Sequence, residues 1–311
     1  MSQSILTGEY LFLAILESSY AGGPDPTAAA NAMRVKANLT LSEVETEDMD
    51  YDAGVIGEKG SVEIRRMVTG DLAGYYAGSG TKNVPSAITP LLKAAGLTVT
   101  PAADHVAIAL GDITAAGSIK GMFYRGTASQ IQPGARMGCE IEFSVDSLPR
   151  VRCPNYKALY NKQTNGAKPV GIDLSAFKNP RPTDPARFIT KNIFGYNASI
   201  SKVVIKIENE VAYLPESGSV EIVDRKVMLE IEFKEPTPDV KDFYDLMFTY
   251  GAIDLQIGQD VVDEGHIFEA NAANAQLTGV SQTERNKVAY LNCTFKCVPT
   301  AANNDITMKQ R

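Results

Sequence analysis

Tryptophan is absent from this 311-residue chain, and histidine occurs only at His105 and His266. A His-based catalytic triad or a His-rich metal site needs a nucleophile or further ligands beside the histidine, and neither position has such a pattern around it. Aromatic residues total 8%, too few for the aromatic cluster expected of a carbohydrate-binding module. Cysteine is scarce as well. Cys139, Cys153, Cys293 and Cys297 are too few and too scattered for a disulfide scaffold. With Cys293 and Cys297 on one strand, four steps of ~3.3 Å hold them ~13 Å apart, out of bonding reach. All four are expected to be buried free thiols.

Long apolar runs are missing too. The longest, Tyr10 to Leu16, falls well short of the ~20 residues that span a bilayer, and Glu17 ends it. No Lys or Arg precedes Arg34, and Glu9 lies where a secretory signal needs positive charge, so a cytoplasmic setting is expected. In that setting the sequons at Asn38, Asn197 and Asn292 are chance matches.

What is present looks globular: 44% hydrophobic and 22% charged residues. At ~150 residues per domain the length suggests two domains. The net charge of -7 argues against binding nucleic acid by phosphate neutralisation, which needs clustered Lys and Arg. The charge is unevenly spread. Residues 1–150 carry 11 basic and 17 acidic side chains, 151–190 carry 7 and 2, and 191–311 carry 12 and 18, giving -6, +5 and -6. The middle stretch also holds Pro154, Pro169, Pro180, Pro182 and Pro185, and reads as a linker because proline removes backbone donors. Its positive charge suits either an acidic neighbouring domain or simple solubility.

Motifs that imitate chemistry fail on inspection. Gly78-Ser79-Gly80-Thr81-Lys82 has Thr before Lys, the reverse of a phosphate loop, and reads as a turn. Asp48-Met49-Asp50-Tyr51-Asp52 begins like a calcium loop, but the required Gly and Glu positions hold Ala53 and Lys59. Glu140 and Glu142 share one strand face, a spacing that exposed strands commonly show. No metal, cofactor or catalytic group is assigned, and an enzyme is not expected.

The strongest signal is an internal repeat. Gly60-Ser61-Val62-Glu63-Ile64 recurs word for word as Gly218-Ser219-Val220-Glu221-Ile222. Downstream of the first copy, Ile88, Leu91, Leu92 and Ala95 fall on one helical face before Gly96; downstream of the second, Val240, Phe243, Leu246, Met247 and Tyr250 follow Asp239 and end at Gly251. A short helix is predicted in each. Period-two alternation predicts strands over 38–44 and 200–207 before the helices, and over 137–145 and 288–298 after them. Each half is thus predicted to be β-rich with one helix.

In order, the chain shows Leu16-Glu17-Ser18-Ser19-Tyr20-Ala21-Gly22, Pro24-Asp25-Pro26-Thr27, an acidic loop, Gly60 to Ile64, Val84-Pro85, Leu91 to Leu97, then Gly117-Ser118-Ile119 leading to Gly121 and Gly126. This series resembles the tail tube, or major tail, proteins of tailed double-stranded DNA bacteriophages over residues 8–150. Residues 195–299 are similar to a second, more diverged tube domain. Ala21 departs from the pattern, since the family more often has Gly directly after the aromatic.

The resemblance implies a mainly β fold: two tandem β-sandwich or half-barrel domains, each with one flanking helix. The domains would be 1–150 and 196–300, joined by a linker at 151–195 and followed by a loose tail at 301–311. It implies a subunit of stacked rings around a lumen that conducts genomic DNA without specific binding. Tape measure and tail terminator or tip proteins would be partners, in a virion tail assembled in the host cytoplasm. Two domains per chain suggest a trimeric ring with pseudo-sixfold geometry; six chains with the second domain outside is the alternative. A long flexible tail is expected, with the inner tube of a contractile tail or injection system, or a β-sandwich carbohydrate-binding virion decoration module, as alternatives. The acidic loop, through Glu43, Glu45, Glu47, Asp48, Asp50, Asp52 and Glu58, would contact the next ring.

Overall fold

Both copies of the repeated pentapeptide open the return strand of a long β-hairpin in the computed structural model, which describes residues 10–51, 59–259 and 262–311. In the first half, β1 (Tyr10–Leu16), the single-turn helix α1 (Ala28–Asn31) and β2 (Ala32–Met33) lead into the hairpin of β3 (Val35–Asp48) and β4 (Ser61–Tyr75). Helix α2 (Thr89–Ala94), β5 (Leu97–Pro101), β6 (Val106–Leu110), β7 (Ile119–Arg125), β8 (Ala128–Ala135), β9 (Cys139–Ser144), β10 (Arg150–Leu159) and β11 (Thr164–Asn165) follow. The second half runs through β12 (Phe188–Ile193), β13 (Tyr196–Asn197), the hairpin of β14 (Ile200–Leu214) and β15 (Ser219–Lys234), β16 (Tyr250–Ile257), β17 (Phe268–Arg285), β18 (Val288–Cys297) and β19 (Thr307–Gln310).

The fold is mainly β, and every strand pair is antiparallel. The large sheet contains the order β3-β4-β10-β9 directly followed by β14-β15-β18-β17. Each run is one long hairpin beside a second, shorter one, so the sequence repeat is also a repeat of strand order. Alternation explains the strands: on β14, Val203, Ile205 and Ile207 are buried while Lys202 and Lys206 point outward. On β3 the matching Ala37, Leu39 and Leu41 alternate with Lys36, Asn38 and Thr40.

The halves meet where β9 pairs with β14, from Cys139 opposite Ile207 to Ser144 opposite Lys202. One hydrophobic cluster spans the joint and includes Leu72, Ile141, Ile205, Ile231 and Phe295. A smaller sheet, β11-β8-β7-β1-β2, covers the first half. Phe12 of β1 meets Tyr156 of β10 edge to face at 6.1 Å, and the Tyr156 hydroxyl donates to Gln132 Oε1 at 2.8 Å. Two sheets therefore pack face to face across a core, in the manner of a sandwich. Strand β17 forks: its first residues lie between β16 and β19, and its later ones pair with β18.

Helix α2 forms within the predicted stretch, with Pro90 in its first turn, Leu91, Leu92 and Ala94 buried, and Gly96 just beyond it at φ +77°. Its expected counterpart is absent: residues 238–240 and 243–248 form turns instead. Asp242 accepts from the amides of Tyr244 and Asp245 at 2.9 and 3.2 Å, closing a tight turn, and Phe248 takes φ +62°, which stops a helix. Phe243 still reaches the core, against Phe233 at 4.9 Å.

Two segments expected to be irregular contain regular strands. Residues 151–159, assigned to the linker, belong to β10, and residues 188–193 are β12. Pro154 is tolerated because it falls in a register break between Cys153 and Tyr156, where no ladder donor is required. The expected loose tail contains β19, inserted between β6 and β17, with Ile306, Met308 and Gln310 buried. Its Asn- and Thr-rich approach hides a buried Ile-x-Met-x-Gln alternation.

Candidate functional site: sheet edges and an acidic arm

Within the acidic segment expected as a loop, residues 43–48 are strand. Glu43, Glu45, Glu47 and Asp48 extend β3 and pair with β4, from Glu43 opposite Met67 to Asp48 opposite Ser61. Glu45 forms an ion pair with Arg65, Asp48 accepts from the Ser61 hydroxyl at 2.7 Å, and Asp50 lies 3.6 Å from Lys59. Asp52 and Glu58 lie outside the described residues. The result is a projecting two-stranded arm whose exposed residues include Val44, Val62 and Ile64 beside the acids.

The outward face of the large sheet carries charges of both signs laid across its strands. Lys202 pairs with Glu142 at 3.5 Å, Arg152 with Glu140 at 3.5 Å, Arg285 with Glu232 at 2.6 Å, and Lys206 with Glu230. The Glu140 and Glu142 pair is therefore part of a charge ladder, each carboxylate facing a base.

The motifs set aside in the sequence take structural places. Gly78 abuts the carbonyl of Gly265 so closely that a Cβ there would collide with it, which packs this turn against the loop holding His266. His105 Nδ1 lies 2.7 Å from Asp104. Burial and the neighbouring Arg181, Arg187 and Lys178 charges lower the His266 pKa below its ordinary value, with Asp263 opposing them. All four cysteines are buried and unpaired; burial pushes Cys139, Cys293 and Cys297 up to about 12 and Cys153 well above its usual value. Among the described residues no cluster of three metal-binding side chains occurs, and no helix is long and apolar enough to cross a membrane.

Residues quoted for the family resemblance tie the halves together. Glu17 accepts from the amides of Ala21 and Gly134, both at 2.9 Å, and from Ser118. Tyr20 accepts from the Val220 amide and lies under the Arg136 guanidinium, which pairs with Glu221 of the second pentapeptide. Ala21 sits at φ +54°, in the left-handed region that glycine adopts most easily.

Asp263 anchors the connector. It is 3% exposed and accepts from Arg181 at 2.8 Å, Arg187 at 3.0 Å and the Gln259 amide at 2.9 Å. Burial would raise its pKa, but the Gln259 amide and both arginines outweigh that and hold the carboxyl below its ordinary value. A depressed folded-state pKa gives stability that is present above the unfolded value, ~3.9, and is lost as pH falls through the folded value. Asp263→Asn should therefore cost about 1–3 kcal/mol at neutral pH and flatten the acid limb of the stability profile. Urea unfolding at pH 7 and pH 3 measures both.

The two strands that end the repeated run, β3 and the later part of β17, each have an open side among the described residues. Among the described residues, β3 pairs only with β4. On β17, pairing with β16 ends at Gln276, and backbone bonds link Leu277 to Phe248 and Thr249, leaving 278–285 bonded on the β18 side alone among the described residues. Beside β3 a cleft of about 210 Å³ lies between the sheets, lined by Tyr10, Phe12, Ala37, Leu39, Phe123 and Arg125 among others. Buried Arg125 Nε has no hydrogen-bond partner there among the described residues. Open edges are properties of strand pairing across long sequence distances, and no local pattern marked Arg125 or residues 278–285.

No protein-family model matches the chain, and no curated protein matches it.

Proposed function

We propose that this chain is the structural subunit of a phage tail tube, forming stacked rings around a lumen through which genomic DNA passes. The observation that carries the reading is the continuous sheet running through both repeats and ending on open edges. An exposed edge strand is an aggregation hazard unless another chain covers it, and head-to-tail pairing that closes into a ring covers both ends of the repeated run. One chain supplies two successive repeats, so three copies supply six.

In this reading the outward charge ladder lines the lumen. Each basic side chain named on it is countered by a carboxylate, so duplex DNA meets no continuous basic stripe that would hold its phosphates. The acidic arm projects from the ring and meets the next ring in the stack. The tail is of the long flexible type, and a tape measure protein occupies the lumen before DNA.

Negative-stain microscopy of the purified chain, with native mass measurement, tests this. The expected result is rings of three copies that stack into tubes. A mass of six copies replaces the trimer by a hexamer, and persistent monomers without rings or tubes overturn the tube reading.

A further inference from the structure

The repeat carries its own template for the joint between copies. Leu72 lies opposite Cys153 between β4 and β10, and Ile231 lies opposite Cys293 between β15 and β18. Anchored on these pairs, β9 corresponds to the open half of β17, and β14 corresponds to β3. Ile141, opposite Val151, matches Gln282, opposite Leu291. Ile205, opposite Leu229, matches Leu39, opposite Gly70. The chain thus contains one completed joint, β9 on β14, and on the open sides of β3 and β17 the separated halves of another.

We infer that the cleft beside β3 receives residues 280–284 of β17 from a second copy of this chain, with Ser281 opposite Thr40, Thr283 opposite Asn38, and Glu284 seated against Arg125. This rests on the ring reading above and assigns the partner strand and register of its joint. The register is the internal one carried over: Glu140 lies opposite Lys206, Glu142 opposite Val204, and Phe143 opposite Val203.

The side chains fit that placement. At the internal joint Phe143 and Val203 fill the core; at the open edges their counterparts are Glu284 and the smaller Ala37, which leaves room for a carboxylate beside Arg125. Among the described residues the cleft lining includes Lys36 and Arg125 and no acidic side chain. Glu284 is exposed and forms no ion pair among the described residues. Leu39 and Leu41, only partly buried in one copy, are covered. Arg285 would face Lys36, but Glu232 already holds it. A two-residue slip would place Glu284 opposite Leu39 and away from the small residue. A charge pair fixes register more strongly than apolar contact does, because misplacement leaves a buried charge without a partner.

The test uses the full chain carrying Thr40→Cys and Ser281→Cys together, oxidised after assembly and run on a non-reducing gel. Thr40→Cys with Thr283→Cys is the slipped control, and the native thiols are all buried. Intermolecular cross-links several-fold more abundant in the first pair support the joint. A second arm compares Arg125→Glu, expected to fold by circular dichroism yet fail to form rings, with Arg125→Glu plus Glu284→Arg, expected to regain them. Rings of wild-type mass with cross-links in the slipped pair, or in neither pair, overturn the joint while the ring reading stands. A wild-type chain that stays monomeric overturns the ring reading and the joint with it.

Discussion

Ile205→Ala should destabilise the whole chain, with probes in both halves reporting one coincident unfolding transition. Ile205 is 1% exposed and sits on β14 where the halves meet, opposite Ile141 of β9 on one side and Leu229 of β15 on the other. Truncating a buried Ile to Ala costs about 2–5 kcal/mol, the transfer of the lost methyl groups plus the cavity left behind. Against a total stability on the order of 5–15 kcal/mol, that is a large fraction. The cooperativity is the sharper part. Independent halves would unfold separately, and a change on β14 would leave the first half intact. The shared cluster around Leu72, Ile141, Ile205 and Ile231 makes loss in one half loss in the other. Urea titration followed by far-ultraviolet circular dichroism and by hydrogen exchange at amides of β4 and β18 separates these outcomes. Ile205→Val, at about 0.5–1.5 kcal/mol, calibrates the cavity contribution.

This joint shows how far the sequence could be read. Strands with strict alternation were legible, as over 200–207 and 288–298, because a half-buried sheet imposes a period of two on its residues. Helix α2 was legible from a compact apolar face with Pro and Gly at its ends. The second helix was a false match: Val240, Phe243, Leu246 and Met247 have helical spacing, yet turns closed by Asp242 deliver Phe243 to the core equally well. The repeat was visible as a pentapeptide but not as a register. The bulges fall at Ile64 in one hairpin and at Val223 in the other, so beyond the motif the copies fall out of step by one residue. Pairings such as β9 with β14, and the fork of β17, join segments far apart in the chain, and no local pattern encodes them. The acidic side chains of the arm were legible, whereas the open edges and Arg125 were not, since an edge is defined by what fails to pair with it.

Removal of residues 306–311 should destabilise the chain to a comparable extent, although composition marks this end as dispensable. Ile306 and Met308 are 0% and 1% exposed, and full burial of such side chains contributes about 1.5–3 kcal/mol each. Strand β19 also pairs on both sides, from Thr307 opposite Ala109 to Gln310 opposite Val106, and from Thr307 opposite Asn271 to Gln310 opposite Phe268. Its loss strips ladder partners from β6 and from the first part of β17 together, so the β5–β6 hairpin loses its attachment to the second half. Gln310, 1% exposed, accepts from Tyr76 at 3.4 Å and donates to the Val84 carbonyl at 3.3 Å, and Arg311 Nε lies 2.6 Å from Glu269. Each of those bonds is worth about 0.5–1.5 kcal/mol net, and a buried Tyr76 hydroxyl left without its acceptor costs further. A truncated chain should therefore show a much lower urea midpoint and rapid proteolysis within 97–110, where β5 and β6 are released. An unchanged midpoint would mean that β19 contributes nothing to folding. Gln310→Leu separates the polar bonds from the apolar ones, because it keeps the strand and its burial while removing the contacts to Tyr76 and Val84.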